Sequence, residues 1–385
     1  MDSPFIYDKY VTGKNFIGRK NDCTVVGNLI SQGEHVVLSS PAKTGKKSLI
    51  QQTLFNLRMS GHNLRIGQFS ALNVRTVEDF IVRFGSAVLR MCGSTPHEYN
   101  ALISKHLERT HMVFDPKRFS ENDEVLSLSW EADEEDVRAV IDLPYRIAAE
   151  KGTRHLLNIE EFQNLTFIGD GDRIFRLMEE VMKKRKEAGQ TLFSFVFMGS
   201  MVNAMRDIFF THRHFYRLTE QFKMQPFDER EITDHVAKGF LTSGKVIDKE
   251  LLLGVCRLFK NHLWYINHFV SICDAKSKGY IMEPVLLESL GCILAIHEPR
   301  FISIMSSLTT HQVNLLRAVV DGHTRFSSSE VVRQYSLNSS ANVKRVKDAL
   351  MKKEILAFDE NDEPSFLDPL FEYWVRHYFF EKKNA

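Results

Sequence analysis

The sequence lacks the patterns that metals and disulfides require. Its five cysteines, Cys23, Cys92, Cys256, Cys273 and Cys292, are odd in number and far apart, with no C-x-x-C pair and no Cys/His spacing suited to zinc. That excludes a disulfide framework and a zinc module, and leaves reduced thiols that mostly belong to the core. No run of about eighteen apolar residues occurs, so no membrane-spanning helix is expected. The opening Met1-Asp2-Ser3-Pro4 has the character of neither a signal nor a transit peptide. The expected compartment is therefore cytoplasmic. Net charge is nearly absent as well: 50 Lys and Arg stand against 49 Asp and Glu, a balance of +1. Overall attraction to nucleic acid or membrane is excluded, and any such binding must be local. What is present is a hydrophobic share of 43% and a charged share of 26%, ordinary for a globular protein. At 385 residues the chain exceeds what one core usually organises, so two or three domains are expected.

One stretch stands out against this background. Ser39-Ser40-Pro41-Ala42-Lys43-Thr44-Gly45-Lys46-Lys47-Ser48 follows the apolar run His35-Val36-Val37-Leu38 and precedes Leu49-Ile50-Gln51-Gln52-Thr53-Leu54-Phe55, which reads as strand, tight loop and helix. In a phosphate-binding loop of this layout, backbone N–H groups and the helix N-terminus surround an anion while a lysine at the loop's end reaches the outer phosphates. Lys46, after Gly45, is that lysine. The pattern G-x-x-x-x-G-K-[ST] is met with two departures. Ser40 replaces the first glycine, where the required backbone region carries a steric cost, and Lys47 replaces the magnesium-binding hydroxyl. Ser48 comes one residue late, turned about 100° along a helix. A lysine-rich turn capping a helix is the alternative reading of the same residues.

Before the loop, Phe16 and Ile17 sit in an irregular segment, where they would either cover a base or simply pack. After it, a strand is expected at 64–69 and helices at 77–92 and 134–151. Between those helices, residues 93–133 lose periodicity and read as an insertion. The run His155-Leu156-Leu157-Asn158-Ile159 is a buried strand ending in two carboxylates, Glu160 and Glu161. About 115 residues past the loop, Glu160 would hold the magnesium shell and Glu161 would orient or deprotonate an attacking water. The strand at 191–198 ends near Ser200, a candidate sensor of the outermost phosphate; Asn203 is the weaker candidate, and either could instead cap a helix. A short extended piece follows at 222–227. Strands separated by helices make a mostly parallel sheet covered on both faces, with ligands at the carboxyl ends of the strands.

From 228 to about 300 the pattern is helical, at 229–241, 249–259, 263–275 and 283–297. The last 85 residues carry helices at 311–320, 328–335 and 341–353, then two short strands around the turn Asp359-Glu360-Asn361-Asp362-Glu363. Three helices and a two-stranded wing make a winged helix. In its third helix Val343, Val346 and Leu350 form the buried stripe. Lys344, Arg345, Lys347, Lys352 and Lys353 are left facing outward, as contacts to nucleic-acid phosphates require. The four acids of the wing and the balance of eleven basic and eleven acidic residues over 301–385 speak for a protein-contact or structural role instead.

Taken together, Phe16-Ile17-Gly18-Arg19, the SPAKTGKKSL loop, LLNIEEFQNL, FMGSMVNAM, FYRLTEQFKMQPF, Asn261 to Asn267 and the segment ending Asp368 to Trp374 resemble the archaeal-type ATPases, a branch of the AAA-plus and STAND-like nucleotidases. The resemblance implies an α/β P-loop NTPase base domain over 1–227, with a mostly parallel sheet flanked by helices. An all-α lid over 228–300 and a winged-helix domain over 301–385 would follow. It implies ATP and Mg2+ as cofactors and an arrangement of domains controlled by ATP. By resemblance Lys46 is the phosphate lysine, Glu161 the catalytic glutamate and Ser200 the first sensor. Arg217 falls on an arginine that contacts the phosphate or a neighbouring subunit. Ser40, Lys47 and Glu160, the last replacing the usual aspartate, depart from the pattern. Binding can use backbone amides and one lysine, whereas hydrolysis needs a well-placed metal. The expectation is thus an ATP-binding switch with slow or impaired hydrolysis, or a hydrolysis-dead adaptor working through protein or DNA contacts.

Overall fold

The apolar runs bracketed by helices pair into one all-parallel sheet. In the computed structural model, which describes residues 3–381, this sheet belongs to a unit made of Lys20–Ala42 and Leu49–Met224. Its elements are α1 (Lys20–Gln32), β1 (His35–Ser39), α2 (Lys46–Met59), β2 (Leu64–Ser70), α3 (Val77–Cys92), α4 (Pro96–His106), β3 (Met112–Val113), α5 (Pro116–Asn122), β4 (Ser127–Leu128), α6 (Glu134–Lys151), β5 (Arg154–Glu160), α7 (Gly171–Glu187), β6 (Phe193–Gly199), α8 (Val202–Arg206) and β7 (Thr219–Phe222). The strand order is β2-β5-β6-β1-β7, and every neighbouring pair is parallel. Burial runs the whole length of β6, as a parallel sheet with helices on both faces demands.

Residues 93–133, where the sequence loses periodicity, are packed: Tyr99, Ile103, Leu107, Met112, Val125 and Leu126 lie in the same core as α3 and α6. The Ser86 hydroxyl accepts the N–H groups of Val125 and Leu126 at 3.1 and 2.9 Å. Their helices are short and set by caps rather than by periodicity. Thr95 and Glu98 form a capping box ahead of α4, and Asp115 caps α5 with Pro116 in its first turn. The last strand, β7, also begins earlier than expected, at Thr219, where it pairs with His35.

The second unit takes in the segment up to Arg19, Lys43–Ser48 and the chain from Gln225 onward. Its elements are α9 (Glu229–Thr242), β8 (Val246–Ile247), α10 (Lys249–Leu258), α11 (Leu263–Lys276), β9 (Tyr280–Ile281), α12 (Glu283–Ser306), α13 (Thr310–Val320), α14 (Ser329–Gln334), α15 (Ser340–Lys352), β10 (Leu356–Phe358), β11 (Pro364–Phe366) and α16 (Pro369–Trp374). Helix α12 runs through Pro299 instead of stopping before it. The carbonyl that loses its partner is that of Ala295, an exposed residue that water can serve. The expected boundary at 300/301 therefore falls inside a helix. Antiparallel β10 and β11 form the wing.

The N-terminal segment is held by this second unit. Phe5 is 2% exposed, its ring 4.9 Å from that of Phe240. A Cβ on Gly239 would meet the Phe5 ring at 2.3 Å, so the close approach needs glycine there. The Trp264 indole donates to Tyr7 O at 2.6 Å and the Asn267 amide to Ile6 O at 3.0 Å, while the Tyr7 ring stacks on His268 at 4.3 Å. Among the described residues no helix is long and apolar enough to cross a membrane.

Candidate functional site

The loop leaves β1 at Ser39, and Ser40 N–H donates to Gly199 O at 3.3 Å. Gly45 has φ +94° with nothing within 4 Å of an added Cβ; backbone conformation, not space, requires glycine here. Helix α2 opens at Lys46 with no acidic side chain in its first turn, so the positive end of its dipole faces the loop uncompensated.

Within the second unit three loop residues have defined partners. Lys43 holds φ +65°, and its ammonium lies 3.5 Å from the centroid of the Trp264 ring. Burial, and next the Arg300 charge, lower the Lys43 pKa, with Asp368 acting the other way. Lys47 Nζ lies 5.7 Å from the Tyr10 ring. Ser48 Oγ accepts the Val11 N–H at 3.1 Å. Next to Trp264, the Tyr265 hydroxyl meets both Asp368 carboxylate oxygens at 2.9 Å and accepts from Arg300 at 3.1 Å, while Arg300 also pairs with Asp368. Asp368 is the N-cap of α16. Phe16 and Ile17 are half-buried, followed by Gly18, whose Cβ would lie 2.6 Å from Glu231, and by Arg19, 4.1 Å over Phe227.

Within the first unit Glu160 ends β5 and Glu161 follows it. Glu161 adopts φ +53°, a conformation disfavoured for a residue with a Cβ and held here by its surroundings. Its Oε2 accepts from Ser200 Oγ at 2.5 Å and from Gln163 Nε2 at 2.7 Å. Two of the expected residues, Glu161 and Ser200, are thus joined directly. Gln163 was not legible in the sequence; its only signal is its place two residues past Glu161, where the 3-10 turn Phe162–Phe167 folds it back. Gly199 makes room for it, since a Cβ there would lie 2.7 Å from Gln163 Oε1. Glu160 is half-buried and Asn203 buried.

Arg217 does not join this group. It precedes β7, whose Thr219 pairs with His35 at the start of β1, so it lies at the amino-terminal end of the sheet. It is exposed, with φ +58°, and its carbonyl accepts from Lys186 at 2.8 Å.

At the loop itself a magnesium ion, implied by the fold, finds a poor fit. The residue after Lys46, which would supply its first ligand, is a cation, and Ser48 is engaged by the N-terminal segment. Among the described residues, His111, Asp133 and Asp136 bring three potential ligand atoms within 4.8 Å. Asp136, however, already accepts from the N–H and Nδ1 of His111 and from Asp133 N–H in the capping box of α6.

On α15, Lys344, Arg345 and Lys352 are exposed. Lys347 corrects the expectation that all these cations face outward. Its ammonium pairs with Asp362 of the wing and lies 4.2 Å over the Phe358 ring, because the wing's acids supply the nearest counter-charge. Lys353 turns to Ser307 at 3.3 Å.

A family described as a probable winged helix domain matches residues 299–377. No curated protein matches the sequence. Among solved structures, the Walker-type ATPase PABY2304 of Pyrococcus abyssi is 14% identical, with 97% of this chain and 99% of that one covered and a TM-score of 0.66. The ORC2 protein of Aeropyrum pernix, solved as ADPNP-ADP complexes, is 12% identical, with 100% and 99% covered and a TM-score of 0.56. Likeness at such identities establishes the fold. The chain shares the fold of these proteins, a five-stranded parallel sheet flanked by helices, and carries a winged helix toward its carboxy terminus.

Proposed function

We propose that the protein is a nucleotide-dependent switch in which ATP binds at the 40–48 loop and its presence is passed to the winged helix. One observation carries this reading: the Lys43–Ser48 part of the loop shares a compact unit with the winged helix. Lys43 rests on Trp264, and the adjoining Tyr265 bonds the cap of α16. Backbone amides and Lys46 hold the phosphates, while Phe16 and Ile17 lie just before the chain leaves the unit at Arg19. Hydrolysis is slow. Glu161 is the base, and Ser200 and Gln163 fix its carboxylate but also occupy it. Arg217, exposed at the other end of the sheet, serves only a second molecule. Base, lid and winged helix, bounded near 227 and 300, are the working parts.

Calorimetry with ATP on the wild type and on Lys46→Ala, with phosphate release followed in parallel, tests this reading. Binding should fall at least tenfold in Lys46→Ala, and residual release should vanish in Glu161→Gln without loss of binding. Equal binding by both proteins would overturn the assignment of the loop. A second reading, a hydrolysis-dead adaptor, is favoured by Lys47 alone. It is supported if nucleotide binds and no release is detected. In either case Lys344, Arg345 and Lys352 are the surface offered to DNA or an acidic protein partner.

A further inference from the structure

The loop carries positive charge where its fold normally uses a metal. Lys43, Lys46 and Lys47 lie between Ser39 and Ser48 with no acidic residue among them, and no acidic side chain follows in the first turn of α2. Lys47 occupies the position whose hydroxyl would coordinate magnesium. A protonated ammonium has no lone pair to offer and repels a divalent cation. Ser48 does not restore the ligand. Its Oγ is turned about 100° along the helix and accepts Val11 N–H at 3.1 Å, and the same N-terminal segment lays Tyr10 5.7 Å from Lys47 Nζ.

What a metal contributes beside phosphates is positive charge and orientation. A lysine supplies the charge as a compact point on a flexible stem, without a coordination geometry to satisfy. We propose that this loop binds a nucleoside triphosphate without magnesium, with the Lys47 ammonium taking the ion's place beside Lys46. The proposal rests on the nucleotide reading above and adds the ionic form of the ligand: the free triphosphate rather than its metal complex. It also accounts for slow hydrolysis, because an ammonium neutralises phosphate oxygens but does not organise an attacking water.

The test is calorimetry with ATP in excess EDTA and in excess Mg2+, on the wild type, Lys47→Met and Lys47→Thr. The wild type should bind equally, within about twofold, in both conditions. Lys47→Met should lose at least tenfold in EDTA, and Lys47→Thr, which restores the usual ligand, should bind at least tenfold tighter with Mg2+ than with EDTA. A wild type that loses tenfold or more in EDTA overturns the proposal, as does a Lys47→Met variant that binds like the wild type. Absence of binding in both conditions removes the nucleotide reading itself, an outcome distinct from binding that needs the metal.

Discussion

His35 cannot take up a second proton without breaking its contacts. Its Nδ1 accepts the Phe195 N–H at 2.9 Å, which leaves Nε2 as the protonated nitrogen, facing the Tyr145 hydroxyl at 3.2 Å. A proton on Nδ1 would set two donors against each other. Burial, and next the Lys186 charge, hold its pKa down to about 3 from an ordinary 6.5. The unfolded chain therefore binds this proton first. The stabilisation is complete above pH 6.5 and is lost as pH falls toward 3, at about 1.4 kcal/mol per pH unit. Urea midpoints should show about 2 kcal/mol lost at this site between pH 6.5 and 5, and a much flatter slope in His35→Gln. An equal slope in the variant would put the sensitivity elsewhere. His297, held at about 4 chiefly by burial and then by Arg300, acts in the same direction. Residues like these mark the limit of the sequence. Lys46, Glu161 and Ser200 could be put forward as candidates because of their places at strand ends and in the loop. The partners Gln163 and Trp264 could not, because a 3-10 turn and a distant helix bring them in.

At the level of elements, the helices and strands with strong periodicity were legible nearly to the residue: α3 and α6 have the expected bounds. What failed were elements defined by caps, such as α4 and α5, and a helix that tolerates an internal proline, α12. The N-terminal segment was the least legible, since among its described residues before α1 a 3-10 turn at Gly13–Asn15 is the one regular element, and the segment depends on pockets in α9 and α11. Phe5 is its anchor, fully enclosed against Phe240 and Gly239. Phe5→Ala should cost about 3–5 kcal/mol in denaturant unfolding, the range for a large buried ring. It should also loosen the Val11–Ser48 bond, so residues 5–11 become more sensitive to protease. A loss under about 1 kcal/mol would mean that the segment is docked by its backbone contacts to Trp264 and Asn267 instead.

For the molecule as a whole, the proposed switch requires a path from Lys43–Ser48 to the winged helix within their shared unit. The contacts form a continuous series: Lys43 on Trp264, then Tyr265 bonded to Asp368 and Arg300, then the cap of α16. Energetic coupling requires that nucleotide alter one of these contacts, and Lys43 is the member the phosphates would attract. Tyr265→Phe removes the hydroxyl at the centre of the series while keeping the ring stacked on Phe259 at 6.0 Å. The lost hydrogen bonds cost about 1–3 kcal/mol, within what a folded domain tolerates. ATP should slow amide exchange in α16 of the wild type. In Tyr265→Phe the ATP affinity should change by less than about twofold while the exchange response of α16 disappears. If the response survives, the winged helix receives the signal by another route and the Tyr265–Asp368 contact is only structural. If affinity falls together with the response, the series belongs to the binding site itself, and the loop and winged helix are one site rather than two that are coupled.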